Sequence, residues 1–271
     1  MKPRNFFQIL GFRSKPRHYP YKLSEHVLDV GTLKYYRWQH PFEREKSIPQ
    51  DLVDAYRDVI KEGDFCIDIG AHTGDATLPI AVAAGKAGKV LALEPNSYVY
   101  HVLEKNVRAN RELTNITPIL GAATSGEMFI EFEYSDSGFC NGGRHENIPL
   151  MKHGHAFKQE VFGVDLEKEL KEDFKEWLPK LKFIKIDAEG YDLSILKALA
   201  NVIDRYRPVI KAEVFSKTSI EYRAEILAFF KDRNYDTFKI EGEPLEKGPE
   251  LVSENTNDWR RYDLIGFPGG E

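Results

Sequence analysis

Cysteine is scarce. The 271 residues hold two, Cys66 in an apolar run and Cys140 in a polar, glycine-rich one, so the sequence offers no framework for a native disulfide. A reducing, cytoplasmic setting is the expectation. Long apolar runs are missing as well: nothing approaches the ~20 residues that cross a bilayer. The patch formed by Phe6, Phe7, Ile9 and Leu10 ends at Arg13 and Lys15, too short for a secretory signal. Excess positive charge is also absent. Lys and Arg number 38 against 43 Asp and Glu, a net charge of -5, which weighs against a dedicated nucleic-acid binder. No internal repeat or low-complexity segment stands out.

What is present suits a soluble globular protein. Hydrophobic residues make up 42% and charged residues 30%, enough for a core and for solubility. The length fits one large α/β domain with an N-terminal extension. Charge is uneven, however. Residues 1–22 carry Lys2, Arg4, Arg13, Lys15, Arg17 and Lys22 and no acid, interleaved with Phe6, Phe7, Phe12, Tyr19 and Tyr21. Such an arm either packs its aromatics on the main domain or makes weak contact with a membrane surface or a polyanion.

Residues 27–38 read as a hairpin around Asp29-Val30-Gly31, which makes residues 1–48 a basic arm plus hairpin extension and 49–271 the main domain. Pro49 opens a helical pattern (Leu52, Val53, Tyr56, Val59, Ile60) closed by Gly63. From there strands at 65–69, 90–93 and 116–120 alternate with helices at 75–84 and 97–110. After a glycine- and histidine-bearing stretch at 135–157, strands at 183–186, 208–215, 235–240 and 262–267 and helices at 193–203 and 220–234 complete the chain. That alternation predicts a Rossmann-like, doubly wound α/β fold with a mostly parallel sheet. A long irregular stretch in a compact domain is more often functional than idle, so 135–157 is the expected lid and acceptor segment.

Three motifs carry chemistry. The first is Phe65-Cys-Ile-Asp68-Ile-Gly70-Ala-His72-Thr-Gly74-Asp75, an apolar strand ending in an acid, a glycine turn and a helix start. In doubly wound sheets ligands sit beyond the carboxyl ends of the strands, so the turn faces a ligand. Its spacing lacks the Gly-x-Gly-x-x-Gly of pyrophosphate binders, and an acid before it suits a ligand with a positive amino group. The bland alternative is a tight turn that binds nothing. The second, Val90-Leu-Ala-Leu-Glu94-Pro95-Asn96, ends the next strand in an acid able to accept both hydroxyls of a ribose. NAD and S-adenosylmethionine both present that ribose, and the first turn favours the latter; a mere helix-capping role for Glu94 is the alternative. The third is Phe183-Ile-Lys185-Ile-Asp187-Ala-Glu189-Gly190-Tyr191. Lys185 and Asp187 share one face of their strand, as Lys211 and Glu213 do on the next. Four such charges need mutual pairing if buried, either around a reaction site or as a structural ion-pair cluster.

Together these motifs resemble the FkbM-type methyltransferases, with Phe183–Tyr191 the specific part. The resemblance implies a class I S-adenosylmethionine enzyme that methylates sugar or polyketide hydroxyls. It implies cofactor contacts at Asp68, Gly70, Ala71, His72, Gly74, Glu94, Pro95, Asn96 and Ala122. Where that family usually carries Asn, this chain has His72. After the third strand, Gly121-Ala-Ala-Thr124 provides no acid for an adenine amino group, leaving a backbone carbonyl or Thr124 to serve.

S-adenosylmethionine is already a strong methyl donor, so the protein must align the acceptor and remove its proton. Asp187 is the first candidate base by position, with His145, His153 and His155 as alternatives. Glu213 joins it either in catalysis or, with a histidine such as His155, in holding a divalent ion such as Mg²⁺. The expected partner is a glycan or small-molecule acceptor. An RNA 2′-hydroxyl methyltransferase and a non-catalytic cofactor-binding domain are the competing readings. The Asn/Asp-Pro-Pro-aromatic signature of many amino-group methyltransferases is absent at Asp187-Ala-Glu-Gly190.

Overall fold

The computed structural model describes residues 15–126, 128–140, 142–143, 157–242 and 244–270. Most of the basic arm (1–14) and most of the expected lid (144–156), with His145, His153 and His155, lie outside the described residues.

The hairpin is longer than the sequence pattern suggested. Strands β1 (Tyr21–Leu28) and β2 (Gly31–Trp38) pair antiparallel from Tyr21–Trp38 to Leu28–Gly31. Of β1 only Leu28 is buried, so its outer half carries no alternating apolar signal. Strand β2 supplies the anchor. Leu33 and Tyr35 pack with Ile48 and Val53, and with Leu78 and Val82 of the main domain. Fully burying each large apolar side chain is worth about 1.5–3 kcal/mol.

Helix α1 (Gln50–Arg57) begins after Pro49, and β3 (Phe65–Ile69) follows, buried along its length. Helix α2 (Thr77–Ala84) is buried at every residue, β4 (Lys89–Glu94) ends on its acid, and α3 (Ser97–Ala109) is capped by the Asn96 side chain. Two asparagines one turn apart on α3 grip the hairpin. Asn106 accepts from the Tyr36 N–H (2.6 Å) and donates to the Tyr36 carbonyl (2.9 Å). Asn110 does the same for Lys34 (2.8 and 2.7 Å). Four residues of helix rise about 6 Å and two of strand about 6.6 Å, so the spacings match.

Strand β5 (Ile116–Leu120) leads into a small second sheet that the sequence reading left without elements. It contains β6 (Ala122–Thr124), β7 (Met128–Tyr134), β8 (Gly142–Gly143) and β9 (Phe157–Asp165), in the order β6-β9-β7-β8. Its inner face packs Ile130, Phe132, Tyr134, Phe157 and Val161 together. Helix α4 (Leu166–Glu172) and β10 (Leu181–Ile186) come next. The single helix expected at 193–203 is two, α5 (Asp192–Ala198) and α6 (Ala200–Tyr206), divided at Leu199. Strand β11 (Val209–Val214), helix α7 (Ile220–Lys231) and strands β12 (Tyr235–Gly242), β13 (Glu246–Glu250) and β14 (Tyr262–Pro268) finish the fold.

The main sheet runs β13-β12-β14-β11-β10-β3-β4-β5. The five strands from β11 to β5 are parallel, and β14 lies antiparallel between β11 and β12. Alternation sends Phe65, Ile67 and Ile69 into one core with Ile184, Ile186 and α5–α7. Cys66 and Phe183 enter the opposite core with Tyr56 and Ile80. Because β3 is followed by β4 on one side and β10 on the other, the chain reverses its winding between β3 and β10. A crevice opens there at the carboxyl ends.

Candidate active site at the carboxyl ends of the central strands

A cavity of about 240 Å³ occupies this switch point. Its floor is the Gly70–His72 turn and the exit of β10 at Asp187–Glu189; Glu94, Pro95 and Asn96 form one side, and Ala122, Phe132 and Tyr134 of the small sheet lie over it. The turn needs its glycine. Gly70 has φ +78, and a Cβ there would sit 2.0 Å from the Asp187 carbonyl oxygen. Turn and β10 exit are therefore in backbone contact.

Glu94 is 5% exposed. Its two oxygens accept the N–H groups of His72 (2.7 Å) and Asn96 (2.8 Å). To present that N–H, His72 adopts φ 50, an uncommon left-handed conformation for a non-glycine residue. Burial pushes the Glu94 carboxyl up to about 7, although both N–H groups and Lys185 oppose the shift. A carboxylate has about four acceptor sites and only two are filled, so a vicinal diol could fill the rest. The residues present thus fit the ribose of a nucleoside cofactor.

Several expected cofactor contacts have other work. Asp68 is fully buried beneath the turn, outside the cavity lining. It accepts the Thr77 hydroxyl (2.6 Å) and the Lys185 ammonium (3.1 Å), so the acid before the turn meets an internal cation and not the ligand's amino group. Gly74 also lies outside the lining; its φ is +89 and a Cβ would stand 2.9 Å from the Leu103 side chain, so it serves helix packing. Asn96 lines the cavity, but its amide is engaged by the Tyr98 N–H (2.9 Å) and the Phe139 carbonyl (2.5 Å). The Thr124 hydroxyl is occupied among the backbone carbonyls of Gly126 and Val164, and Gly121, Ala122 and Ala123, not Thr124, line the cavity.

Asp187 faces the cavity with its side chain 43% exposed and Oδ2 3.8 Å from Lys185 Nζ. The turn that carries it is organised by Asp192, fully buried, which accepts the N–H groups of Gly190 (3.2 Å), Ala188 (3.5 Å) and Glu213 (3.2 Å). Glu189 in the same turn holds φ 52, and strain of that kind concentrates at functional sites. Burial, then the neighbouring Asp187 charge, raises the Glu189 carboxyl above its ordinary value.

Glu213 is corrected by the structure. It lies behind this turn, 2% exposed, and pairs with Arg261, so it does not reach the cavity. Lys211 turns to Asp263 at 3.1 Å. The four strand charges are therefore paired, but mostly with partners outside the set. Among the described residues no group of three or more His, Cys, Asp or Glu is placed to hold a metal ion. The Asp187–Glu213 pair gives Mg²⁺ no donor set, and no chemistry of the site is assigned to it. His155 lies outside the described residues.

The sequence reading missed a charged wall. Lys46 Nζ lies 2.8 Å from Glu43 Oε1 and 3.0 Å from Asp75 Oδ2, and all three line the cavity. His72 Nε2 is 3.7 Å from Glu43 Oε2. Glu43 and Lys46 sit in an irregular segment with no motif around them, so no local signal marked them. Phe132 and Tyr134 were missed too, although Ile130, Phe132 and Tyr134 alternate with Glu131 and Glu133 as a half-buried strand should.

Five parallel strands with an antiparallel β14, a glycine turn after β3 and an acid closing β4 make up the fold of the class I S-adenosylmethionine-dependent methyltransferases. Within that class the chain belongs to the FkbM methyltransferase family: residues 68–237 match the Methyltransferase FkbM domain. It is 25% identical over 237 residues to Methyltransferase sdnD of Sordaria araneosa, covering 78% of this chain and 88% of that one. It is also 25% identical over 161 residues to Hexuronic acid methyltransferase AglP of Haloferax volcanii, covering 59% of this chain and 60% of AglP. Among solved structures, methyltransferase FkbM from Methylobacillus flagellatus aligns over 79% of this chain and 50% of its own, with 14% identity and a TM-score of 0.46. Among the described residues no helix is long and apolar enough to cross a membrane.

Proposed function

We propose that this methyltransferase acts on a hydroxyl of a sugar, glycan or polyketide-type small molecule, with Asp187 as the base. The observation that carries the reading is the Asp187 carboxylate, partly exposed in the cavity beside the Gly70 turn, its nearest cation 3.8 Å away. Bound S-adenosylmethionine supplies an electrophilic methyl group. Its ribose hydroxyls would donate to Glu94, and Pro95, Asn96, Ala122, Phe132 and Tyr134 would enclose its adenine. Asp187 Oδ2 would take the acceptor's hydroxyl proton as that oxygen gains the methyl group and the donor's C–S bond breaks to leave a neutral thioether, and Lys185 would steady the carboxylate from below. The backbone of Gly70, Ala71 and His72 bounds the space between Glu94 and Asp187 and keeps donor and acceptor in line. AglP, named a hexuronic acid methyltransferase, supports a carbohydrate acceptor.

Calorimetry with S-adenosylmethionine, followed by transfer of labelled methyl to a panel of uronosides, neutral glycans, polyketide alcohols and RNA, tests the proposal. Transfer to a carbohydrate or polyketide hydroxyl is expected. Binding with no transfer to any acceptor would leave a cofactor-binding domain, and preferred transfer to RNA would replace the acceptor class.

A further inference from the structure

Three groups in the cavity are not used by the reaction as described: Glu43, Lys46 and Asp75. Two of them come from the segment between the hairpin and α1, ahead of the residues that match the family. The hairpin strand that leads into that segment is held firmly. Tyr35 and Thr73 share a hydrogen bond of 2.7 Å, Asn106 joins Tyr36 to the Thr73 carbonyl (2.8 Å), and Trp38 packs edge-on against His72 at 5.8 Å. The charged wall is therefore built against the Gly70–Asp75 turn and not merely draped over it.

Its chemistry is that of a zwitterion site. Lys46 is one ammonium between two carboxylates, at 2.8 and 3.0 Å. Burial works against the Asp75 charge, yet Lys46 and then His72 outweigh it and hold the carboxyl down at about 2. The wall thus sets two acids, Glu43 and Asp75, against the single ammonium of Lys46. His72 fixes its place: the backbone N–H of that residue lies on Glu94 and its ring lies 3.7 Å from Glu43. A cofactor with its ribose on Glu94 would carry its sulfonium and amino-acid arm past His72 toward this wall. That arm carries an ammonium, a carboxylate and the sulfonium, a net single positive charge.

We infer that Lys46 binds the α-carboxylate of S-adenosylmethionine while Glu43 and Asp75 receive its α-ammonium, so that the segment ahead of the family domain completes the cofactor site. The inference rests on the cofactor placement proposed above. Entry of the arm exchanges part of the internal Lys46 pairing for pairing with the ligand, and the two charge patterns are complementary.

Decarboxylated S-adenosylmethionine, which lacks only the carboxylate, provides the test by calorimetry. The wild type is expected to bind it about 10- to 100-fold more weakly than S-adenosylmethionine, the effect of losing a charge-assisted hydrogen bond. Lys46→Met should bind both compounds with similar, weak affinity, and Lys46→Arg should restore the preference. Lys46→Gln, which keeps a hydrogen-bonding end toward Glu43 and Asp75, carries the same expectation if Lys46→Met is too unstable to titrate. Equal affinities in the wild type, or an undiminished preference after loss of the Lys46 charge, would overturn the inference. Absence of any S-adenosylmethionine binding by the wild type is a separate result that overturns the cofactor placement itself.

Discussion

Lys185 and Asp68 are register partners on adjacent parallel strands, and their side chains meet at 3.1 Å with both taken out of water. Removing one partner from a buried pair leaves an uncompensated charge, at about 3–5 kcal/mol. Lys185→Met is therefore expected to lower unfolding stability by about that amount in a urea titration. The Asp68→Leu/Lys185→Met double variant should recover a large part of it. A double variant no more stable than Lys185→Met would mean that Asp68 is not the partner whose charge matters.

Cofactor affinity should depend on pH through Glu94. Burial raises this carboxyl to about 7 from an ordinary value of 4.5, so the folded chain holds the proton longer than the unfolded one between those values. Across that window the Glu94 contribution to stability falls as pH rises, and it levels off above about 7. Binding has the opposite sign, because ribose hydroxyls donate to the ionised form. Affinity for S-adenosylmethionine should climb as pH rises through 7, by no more than about tenfold per unit since one proton is displaced. Glu94→Gln should flatten the profile and weaken binding about 10- to 100-fold. A flat wild-type profile would argue that Glu94 does not meet the ribose.

Asp187→Asn preserves shape and removes basicity. Turnover is expected to fall by about 10²–10⁴, the usual contribution of a positioned base, with cofactor affinity nearly unchanged. Normal turnover in that variant would exclude Asp187 as the base. Chelator treatment of the wild type is expected to leave the rate unaltered; a loss reversed by Mg²⁺ would contradict the described site.

Asn106 is fully buried and serves three backbone groups of Tyr36 and Thr73. Asn106→Ala leaves them without partners, and a loss of about 1–3 kcal/mol is expected in chemical denaturation. If the hairpin supports the cavity, S-adenosylmethionine binding weakens in the same variant; a stability loss with unchanged affinity would confine Asn106 to folding.

The central sheet was legible because each of its parallel strands is a short apolar run between turn signals, and because acids closed β4 and β10 at the right ends. Glu94 and Asp187 stand at those strand ends and line the cavity. Asp68 holds the same position before the turn whether it faces a ligand or the ammonium of a neighbouring strand, and only the cross-strand register, which sets it against Lys185, separates the two. For Glu213 likewise, strand alternation gives the face of a residue and not its depth relative to the cavity. The small sheet hid behind glycine-rich connections although β7 alternates plainly. Lys46 and Glu43 had no periodicity to betray them, because their placement depends on how a hairpin docks.

The two asparagines of α3 have an effect beyond docking. By taking both polar groups of Lys34 and of Tyr36, they saturate the side of β2 that faces away from β1. A two-stranded ribbon normally offers two open margins on which a strand of another molecule can add, the usual first step toward aggregation. Here side-chain amides mimic the missing third strand along one margin, so recruitment by backbone pairing is restricted to β1. Asn106 and Asn110 thus do for Tyr36 and Lys34 what a neighbouring strand would do.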